Sequence, residues 1–168
     1  MKLEIIRNDS YNCFQNQVAA VARYYRTDYR MMMLELWGFI YNQDKDTIGE
    51  RMGLIWMGEL EYRKRLLLNF HGINFISHKS ILDIKNRTHI VKKNPIAFYV
   101  DSFDCEWLPF FRKQHRQHMC NIVDIDEFYC YCQDDYWNKK EYKLFKVDEI
   151  DKISRELLVF SFEMQMSI

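Results

Sequence analysis

The chain has 168 residues, of which 48% are hydrophobic and 16% aromatic, so it is long enough to bury a core and too apolar to be disordered. Lys plus Arg and Asp plus Glu number 24 each, and the resulting lack of net charge argues against a nucleic-acid partner. No apolar run approaches the ~20 residues of a membrane span, and residues 1–12 lack the apolar centre of a signal peptide. We therefore expect one domain over residues 1–168, in the cytoplasm and without a membrane contact. Five cysteines, an odd number, argue against a disulfide scaffold.

The first half of the chain is predicted to be mainly helical. Apolar residues spaced three and four apart predict helices over residues 13–27, 30–41, 58–71 and 80–93. Gly72 follows the third of these segments, at a position where glycine commonly ends a helix. Two short strands are predicted in this half, at 2–7 and at 73–78.

The second half is predicted to be mainly β-structure. Strands are expected over residues 96–103, 118–126, 127–133, 141–147 and 157–163, with a short helix at 148–155. Asn94 and Pro95 separate the helical half from the first of these strands. Because the helices come first and the strands follow one another closely, this order predicts an α+β fold with a mostly antiparallel sheet, rather than a βαβ series.

Cys13 lies at the start of the first predicted helix, after Asn8, Asp9 and Ser10, which are residue types that commonly cap helices. The N–H groups and the dipole of a helix N-terminus stabilise negative charge, so a thiolate could form there near neutral pH. Considered alone, the stretch favours the alternative that Cys13 is a small buried apolar residue of a core helix. The nucleophile hypothesis therefore depends on partners far along the chain.

A histidine and a carboxylate are predicted to meet through a β-hairpin. His118 begins one strand, and the next strand, entered by a tight turn at Asp126 and Glu127, ends before Asp134. In such a hairpin the end of the second strand returns to the start of the first, which brings Asp134 close to His118. A base with an orienting carboxylate, facing a thiol at a helix N-terminus, would form a Cys-His-Asp site.

The order of these features resembles the C39-like branch of the papain-like cysteine enzymes, and within that branch the domain of butirosin biosynthesis protein H. The resemblance is carried by the helix-starting Cys13 and by the run at 98–126, FYVDSFDCEWLPFFRKQHRQHMCNIVDID. It continues at Asp134, Asp135 and Tyr136, which stand where the family has Asp-Pro-Tyr. The similar features span most of the chain, and their order and spacing are more specific than any single motif.

The resemblance implies a papain-like, C39-like fold and a triad in this chain. Cys13 would be the nucleophile, His118 the base and Asp134 the residue that orients the base. A shift of one residue in the strand register would place a different carboxylate beside His118. The alternatives to these assignments are His115 for the base, and Asp124 and Asp135 for the carboxylate.

The chain also departs from the family near the nucleophile. C39 peptidases usually carry a Gln a few residues before the cysteine, as an oxyanion donor, and a Gly after it. Here Arg7 and Asn8 occupy the first region and Phe14 follows Cys13. Asn8 or Asn12 is the candidate substitute for the missing Gln. Its absence argues against cleavage of a leader peptide and is compatible with the butirosin-type relatives, which resemble acyltransferases.

The function implied by the resemblance is acyl transfer by a cysteine nucleophile, with an acylated carrier protein as thioester donor, in natural-product biosynthesis. The nearest alternative is a C39-type cysteine peptidase or amidase that acts on a peptide or an amide. A third hypothesis, favoured by the missing Gln and by Phe14 after Cys13, is a catalytically silent C39-like domain that binds a peptide or a carrier protein. Trp107 and Tyr136 are the expected substrate-binding aromatics, although such residues more often belong to the core.

The remaining cysteines and a basic segment allow two interpretations each. Cys130 and Cys132 lie two apart on a predicted strand, and with Cys120 and His118 they would give a zinc site. Because structural zinc motifs rarely space ligands along a flat strand, reduced core thiols are the favoured interpretation. The basic residues of segment 111–118 could receive an acidic carrier protein or form a solvated loop, which is the default. The sequence gives no reason to expect a metal or an organic cofactor.

Overall fold

The computed structural model describes residues 3–30, 39–41, 43–54, 60–84, 87–136 and 143–163. The strands in these ranges are Phe39–Tyr41 (β1), Met52–Leu54 (β2), Ile73–His78 (β3), Ile96–Asp101 (β4), Gln117–Ile125 (β5), Tyr129–Gln133 (β6), Lys143–Lys146 (β7) and Ser154–Phe162 (β8). Strands β1 and β2 pair with each other. The other six form an antiparallel sheet in the order β3-β8-β4-β5-β6-β7.

Helices flank this sheet, so the predicted α+β class is confirmed. Those in the described ranges are Cys13–Tyr25 (α1), Ile48–Arg51 (α2), Leu60–His71 (α3), Arg87–Lys93 (α4) and Val147–Ile153 (α5), with 3-10 turns at Ile81–Asp83 and Ser102–Asp104. Within the described part of the chain, no helix combines the length and the apolar character that crossing a bilayer requires.

The central strand β4 is buried along its whole length because helices cover both faces of the sheet. Successive side chains of a strand point to opposite faces, so β4 contributes to two apolar clusters. The cluster beneath α1 and α3 contains Phe14, Val18, Val21, Leu67, Ala97, Tyr99, Met119, Leu158 and Phe160. The cluster beneath α4 and α5 contains Val91, Ile96, Phe98, Val100, Cys120, Ile122, Ile150 and Leu157. Each large apolar side chain buried in this way contributes about 1.5–3 kcal/mol.

Helix α1 begins with a capping box. The Oδ1 atom of Asn12 accepts the N–H of Gln15 at 2.9 Å, and the side chain of Gln15 accepts the N–H of Asn12 at 3.0 Å. The residue that caps the helix is therefore Asn12. The candidate capping residues at 8–10 instead belong to a turn before the helix, in which the N–H of Tyr11 donates to the carbonyl oxygen of Asn8. This cap places Cys13 at the first position of the helix.

Strands β5 and β6 form the predicted hairpin, with two differences in detail. The carboxylate of Asp126 accepts the N–H groups of Phe128 and Tyr129 at 2.8 and 2.7 Å, so β6 begins at Tyr129 instead of residue 127. The register of the pair also shifts between Ile122 and Asp124. The end of β6 nevertheless returns beside the start of β5.

The strand predicted at 2–7 is not formed within the described part of this segment. Residues 3–8 have no regular secondary structure. Leu3 is buried, and Glu4 forms an ion pair with Arg23 of α1 at 2.6 Å. The segment therefore contacts α1, and it takes part in none of the strand pairings of the described residues.

Two of the predicted helices also differ. The helix predicted over 30–41 lies outside the described residues at 31–38, and its last three residues form β1. In place of one helix over 80–93, the chain forms a 3-10 turn capped by Ser80 and then α4, with residues 85–86 outside the described part.

Gly72 ends α3 as predicted, with a φ angle of +66° that L-residues rarely adopt. A Cβ atom at this position would lie 2.5 Å from the carbonyl oxygen of Glu163. Gly72→Ala is expected to lower the free energy of unfolding by at least about 1–2 kcal/mol. Gly49→Ala is the control, because an added Cβ there meets nothing within 4 Å and alanine favours helix α2. Urea denaturation measures both variants, and equal effects would contradict the assignment of strain to Gly72.

Candidate active site

Cys13 is half-buried at the start of α1 and lies against the start of β5. Its Sγ atom is 3.9 Å from the carbonyl oxygen of Gln117, and Cys13 and His118 line the same cavity. Helix α1 is held on β5 by Gln17, whose side-chain amide donates to the carbonyl oxygen of Met119 at 3.2 Å. This packing brings the beginning of a helix and the beginning of a distant strand to the same place.

His118 lies between the thiol and a carboxylate, with its side chain 8% exposed. Its Nε2 atom is 2.7 Å from Oδ2 of Asp134, which leaves Nδ1 as the ring nitrogen for Cys13. Burial alone would lower the pKa of His118. Hydrogen bonds to Asp134 and Cys13 and the negative charge on these partners outweigh that effect and raise the pKa to about 10. The imidazole can therefore hold a proton that it has taken from the thiol.

Asp134 is a buried carboxylate that accepts hydrogen bonds at both oxygens. Besides His118, its Oδ2 atom accepts the indole N–H of Trp107 at 2.8 Å and the thiol of Cys120 at 3.0 Å. Its Oδ1 atom accepts the backbone N–H of Tyr136 at 2.8 Å. Burial would raise the pKa of Asp134, but these hydrogen bonds and the charge of His118 hold it well below its usual range. The carboxylate thus stays ionised at neutral pH and fixes the ring of His118.

Sequence reasoning missed Trp107 and Cys120 as partners of Asp134. Trp107 was expected to bind substrate. In the structure its indole N–H donates a hydrogen bond to Asp134, and its ring lies 5.5 Å from that of Phe145. No sequence signal pairs this tryptophan, in the loop after β4, with Asp134. For Cys120 a signal existed, because strand alternation puts it on the same face as His118.

Asp135 faces α1 and not the histidine. Its Oδ2 atom accepts a hydrogen bond from Nδ2 of Asn16 at 3.2 Å, and Oδ1 of Asn16 accepts the N–H of Asn8 at 3.0 Å. Burial, with a hydrogen bond to Asp134 and the negative charge of that neighbour, raises the pKa of Asp135 to about 6. Of these two adjacent carboxyl groups, Asp134 is the one in contact with His118.

Cys13 lies between two cavities. The larger, about 260 Å³, is the His118 cavity, and its walls include Cys13, Asn16, Arg116, His118, Asp135 and Tyr136. The smaller, about 150 Å³, is the Arg63 cavity, with walls formed by Asn12, Cys13, Phe14, Arg63, Tyr99 and Gln117. Tyr136, an expected substrate-binding residue, has its ring 5.7 Å from that of His118 and is covered by the guanidinium of Arg7 at 4.6 Å.

The two candidate oxyanion residues are placed differently. Asn12 lines both cavities, and because its Oδ1 atom accepts the N–H of Gln15, its Nδ2 group is the remaining donor. The side-chain oxygen of Asn8 accepts the N–H of Ser10 at 2.9 Å, and its backbone forms hydrogen bonds with Tyr11 and Asn16. The N–H of Cys13 is in the first turn of α1, where the helix itself supplies no acceptor. The geometry thus offers the N–H of Cys13 and the amide of Asn12 as donors at the thiol.

The alternative base and the alternative carboxylate of β5 have other partners. His115 is 70% exposed, with Nδ1 3.0 Å from Oδ2 of Asp101, which also accepts from Arg155 at 2.6 Å. The side chain of Asp124 accepts the N–H of Ile125 at 2.9 Å.

The thiols other than Cys13 are buried and reduced. Among the described residues, the group with metal-ligand proximity is His118, Cys120 and Asp134, whose ligand atoms lie within 4.8 Å of one another. This group does not include Cys130 or Cys132, which the sequence analysis had considered. The distances from Asp134 to His118 and Cys120, 2.7 and 3.0 Å, are those of direct hydrogen bonds.

Neither the family models nor the curated proteins contain a match to this chain. Among solved structures, the chain is similar to a double glycine motif protease from an AMS/PCAT transporter, determined in complex with the leader peptide. The two share 13% sequence identity with a TM-score of 0.54, over 96% of this chain and 93% of that chain. At this identity the likeness shows the fold alone, and it confirms the predicted C39-like fold. The closer resemblance to butirosin biosynthesis protein H is not shown.

The pKa of His118 predicts how Asp134→Asn acts on stability at different pH. A histidine whose pKa rises from 6.5 to about 10 on folding adds stability that is complete below pH 6.5 and is lost as the pH rises through 10. The loss caused by Asp134→Asn, roughly 1.5–3 kcal/mol for a hydrogen bond to a charged group, is therefore expected to be complete at and below pH 6.5 and to shrink as the pH rises through 10. Urea denaturation across this range measures it, and a pH-independent difference would contradict the charged pair.

Cys120→Ala and Cys132→Ala form a matched pair. Both remove a buried thiol from neighbouring strands, but Cys120 donates to Asp134 and Cys132 approaches the carbonyl oxygen of Cys130 only at 3.9 Å. We expect Cys120→Ala to cost about 1–2 kcal/mol more unfolding free energy than Cys132→Ala, because a buried carboxylate loses a donor. Chemical denaturation at pH 7 gives both values. If the two variants lose the same stability, Cys120 does not support Asp134.

Proposed function

We propose that this protein is a cysteine-dependent acyl-transfer enzyme, with Cys13 as nucleophile, His118 as base and Asp134 as the residue that orients the base. The observation that carries the proposal is that Cys13 lies at the junction of two cavities, one of which is also lined by His118, whose Nε2 atom is 2.7 Å from Oδ2 of Asp134. The C39-like fold and the buried grouping of His118 with a carboxylate are compatible with a cysteine-based catalytic site.

The first half of the reaction forms an acyl-enzyme. Nδ1 of His118 takes the proton from Sγ of Cys13, and the thiolate attacks the carbonyl carbon of the substrate to form a C–S bond. The tetrahedral intermediate collapses when the bond to the leaving thiol or amine breaks, and the leaving group takes the proton from His118. The acyl group is then held on Cys13 as a thioester.

The second half releases the acyl group. An amine or a water gives a proton to His118 and attacks the carbonyl carbon of the acyl-Cys13 thioester, and Cys13 leaves as a thiolate. The product is an amide or a free acid, and the proton on His118 returns to Cys13. The same three residues therefore act in both halves of the reaction, with His118 alternating between base and acid.

Electrostatics supports each charged species in this scheme. The N-terminus of α1 stabilises the thiolate, and the ionised Asp134 stabilises the imidazolium. The N–H of Cys13 and the side-chain amide of Asn12 are the proposed donors to the oxyanion of the tetrahedral intermediate, and they take the part of the Gln that is missing before the nucleophile.

An acyl thioester of a carrier protein is the substrate that we propose, with an amine or water as acceptor. The support for this substrate, and for a setting in natural-product biosynthesis, is the sequence resemblance to the butirosin-type relatives. Cleavage of a peptide or amide is the second candidate, and it is supported by the likeness of the fold to a protease bound to a leader peptide. The proposed triad would serve either reaction, so the substrate must be decided by experiment.

Selective alkylation tests the activated thiol. We expect limiting iodoacetamide at pH 7 to modify the native protein once, at Cys13, because the other thiols are buried. His118→Ala should slow this modification by roughly 100-fold or more, the usual contribution of a positioned base. His115→Ala is the matched control, since it removes a histidine three positions away that contacts Asp101, and it should leave the rate near that of the wild type. Intact-mass measurement followed by peptide mapping provides the readout.

Acyl adducts then separate the candidate functions. A mass increase at Cys13 from acyl thioesters supports transferase or thioesterase chemistry, and turnover of peptide amides supports a peptidase. Alkylation at Cys13 without an adduct or turnover from either substrate class would favour the catalytically silent binding domain. Labelling spread over all five cysteines of the folded protein would mean that the triad is not assembled.

A further inference from the structure

The two cavities beside Cys13 differ in the chemistry of their walls. His118 is a wall residue of the His118 cavity, and Arg63 and Tyr99 are wall residues of the Arg63 cavity. Asn12, Cys13 and Gln117 belong to the walls of both cavities. A substrate with its reacting carbonyl group at Cys13 would therefore place one of its two parts in each cavity.

Proton transfer assigns these two parts. In acyl transfer by a cysteine, the leaving group departs with a proton from the histidine, so it must lie within reach of His118. The leaving group then occupies the His118 cavity, and the acyl group occupies the Arg63 cavity on the other side of Cys13. This assignment rests on the proposed function.

The Arg63 cavity presents a preorganised cation. The guanidinium of Arg63 lies 4.9 Å from the centre of the ring of Phe14, which is itself buried. A guanidinium stacked on an aromatic face directs its N–H groups outward in its own plane, in the fork that matches a carboxylate. Stacking also reduces the side-chain freedom that binding would otherwise remove.

Tyr99 adds a second donor to the same cavity. The residue is 5% exposed and lines the cavity together with Arg63. A phenolic hydroxyl carries one proton that it can donate to an acceptor bound there.

We infer that the Arg63 cavity binds an acyl group that carries a carboxylate, with the guanidinium of Arg63 and the hydroxyl of Tyr99 as its donors. Arg63 is thus a specificity-determining residue, which selects the acyl group without taking part in proton transfer. The carboxylate could belong to a diacid-derived acyl thioester or to an acidic residue of a peptide, and both present the same group to Arg63.

Alkylation with two reagents of equal size tests this inference whether or not the protein transfers acyl groups. The thiol of Cys13 displaces iodide from both iodoacetate and iodoacetamide. The two reagents differ in that the first carries a carboxylate and the second a neutral amide. The ratio of their rates cancels any change in the reactivity of the thiol itself. In Arg63→Gln this ratio should fall roughly 10-fold or more, because a charge-assisted contact is lost. Arg63→Lys should recover part of it, since lysine keeps the charge without the planar fork.

Arg116→Gln is the matched control for charge. Arg116 lines the His118 cavity, and its guanidinium stacks over the ring of Phe110 at 4.3 Å, so the substitution also removes one stacked cation close to Cys13. The rate ratio should fall much less in Arg116→Gln than in Arg63→Gln. Equal falls would mean that the carboxylate responds to the general field around Cys13, and the inference would be wrong. Tyr99→Phe is expected to lower the ratio in the same direction as Arg63→Gln.

Acyl donors identify the source of the carboxylate. Succinyl and succinamoyl thioesters of N-acetylcysteamine form one pair, and short peptide amides with Asp or Asn at the acyl residue form the other. Preference for the charged member of either pair, lost roughly 10- to 100-fold in Arg63→Gln, supports the inference and names the source. If the thiol is activated but Arg63→Gln changes charged and neutral reagents alike, the inference fails and the proposed function stands. If His118→Ala does not slow alkylation but the rate ratio still depends on Arg63, the proposed function fails and the anion site stands.

Discussion

The hydrogen bond between His118 and Asp134 is the interaction on which the candidate site depends. Both side chains are removed from water, and a buried ion pair is tolerated only when hydrogen bonds satisfy its remaining polar atoms. Trp107, Cys120 and the backbone N–H of Tyr136 supply those hydrogen bonds. The carboxylate is thereby kept ionised, and the imidazole keeps both its orientation and its affinity for a proton. The arrangement of the loop after β4 and of the chain after β6 is part of the same site.

The antiparallel sheet sets the position of that pair, and α1 brings the thiol to it. Pairing of β5 with β6 returns Asp134 beside His118, and burial of β4 on both faces fixes these strands between two apolar clusters. Helix α1 packs on one face of the sheet through Phe14 and its neighbours. Because Asn12 caps the helix directly before Cys13, the proposed nucleophile is placed by a local motif on an element that tertiary packing holds.

The chemistry proposed for the thiol is general, and we assign its selectivity to the cavity walls. A cysteine activated by histidine can attack thioesters and amides alike, so the triad does not choose the substrate. In the proposed reaction the difference between the two cavities provides that choice, since one is lined by His118, the proposed proton donor for the leaving group, and the other by a stacked guanidinium. The acyl group and the leaving group would then be recognised by separate parts of the protein.

Local sequence signals determined the helix that begins at Cys13, the strand at 73–78, the glycine that ends α3 and the hairpin that joins His118 to Asp134. They did not determine the fate of residues 2–7, since an alternating segment becomes a strand only beside a partner edge. The contact of Trp107 with Asp134 and the place of Arg63 beside Cys13 were decided by the tertiary structure. Capping, alternation and turns act between residues near in sequence, whereas these contacts join side chains that only the packing of α1, α3 and the sheet brings together.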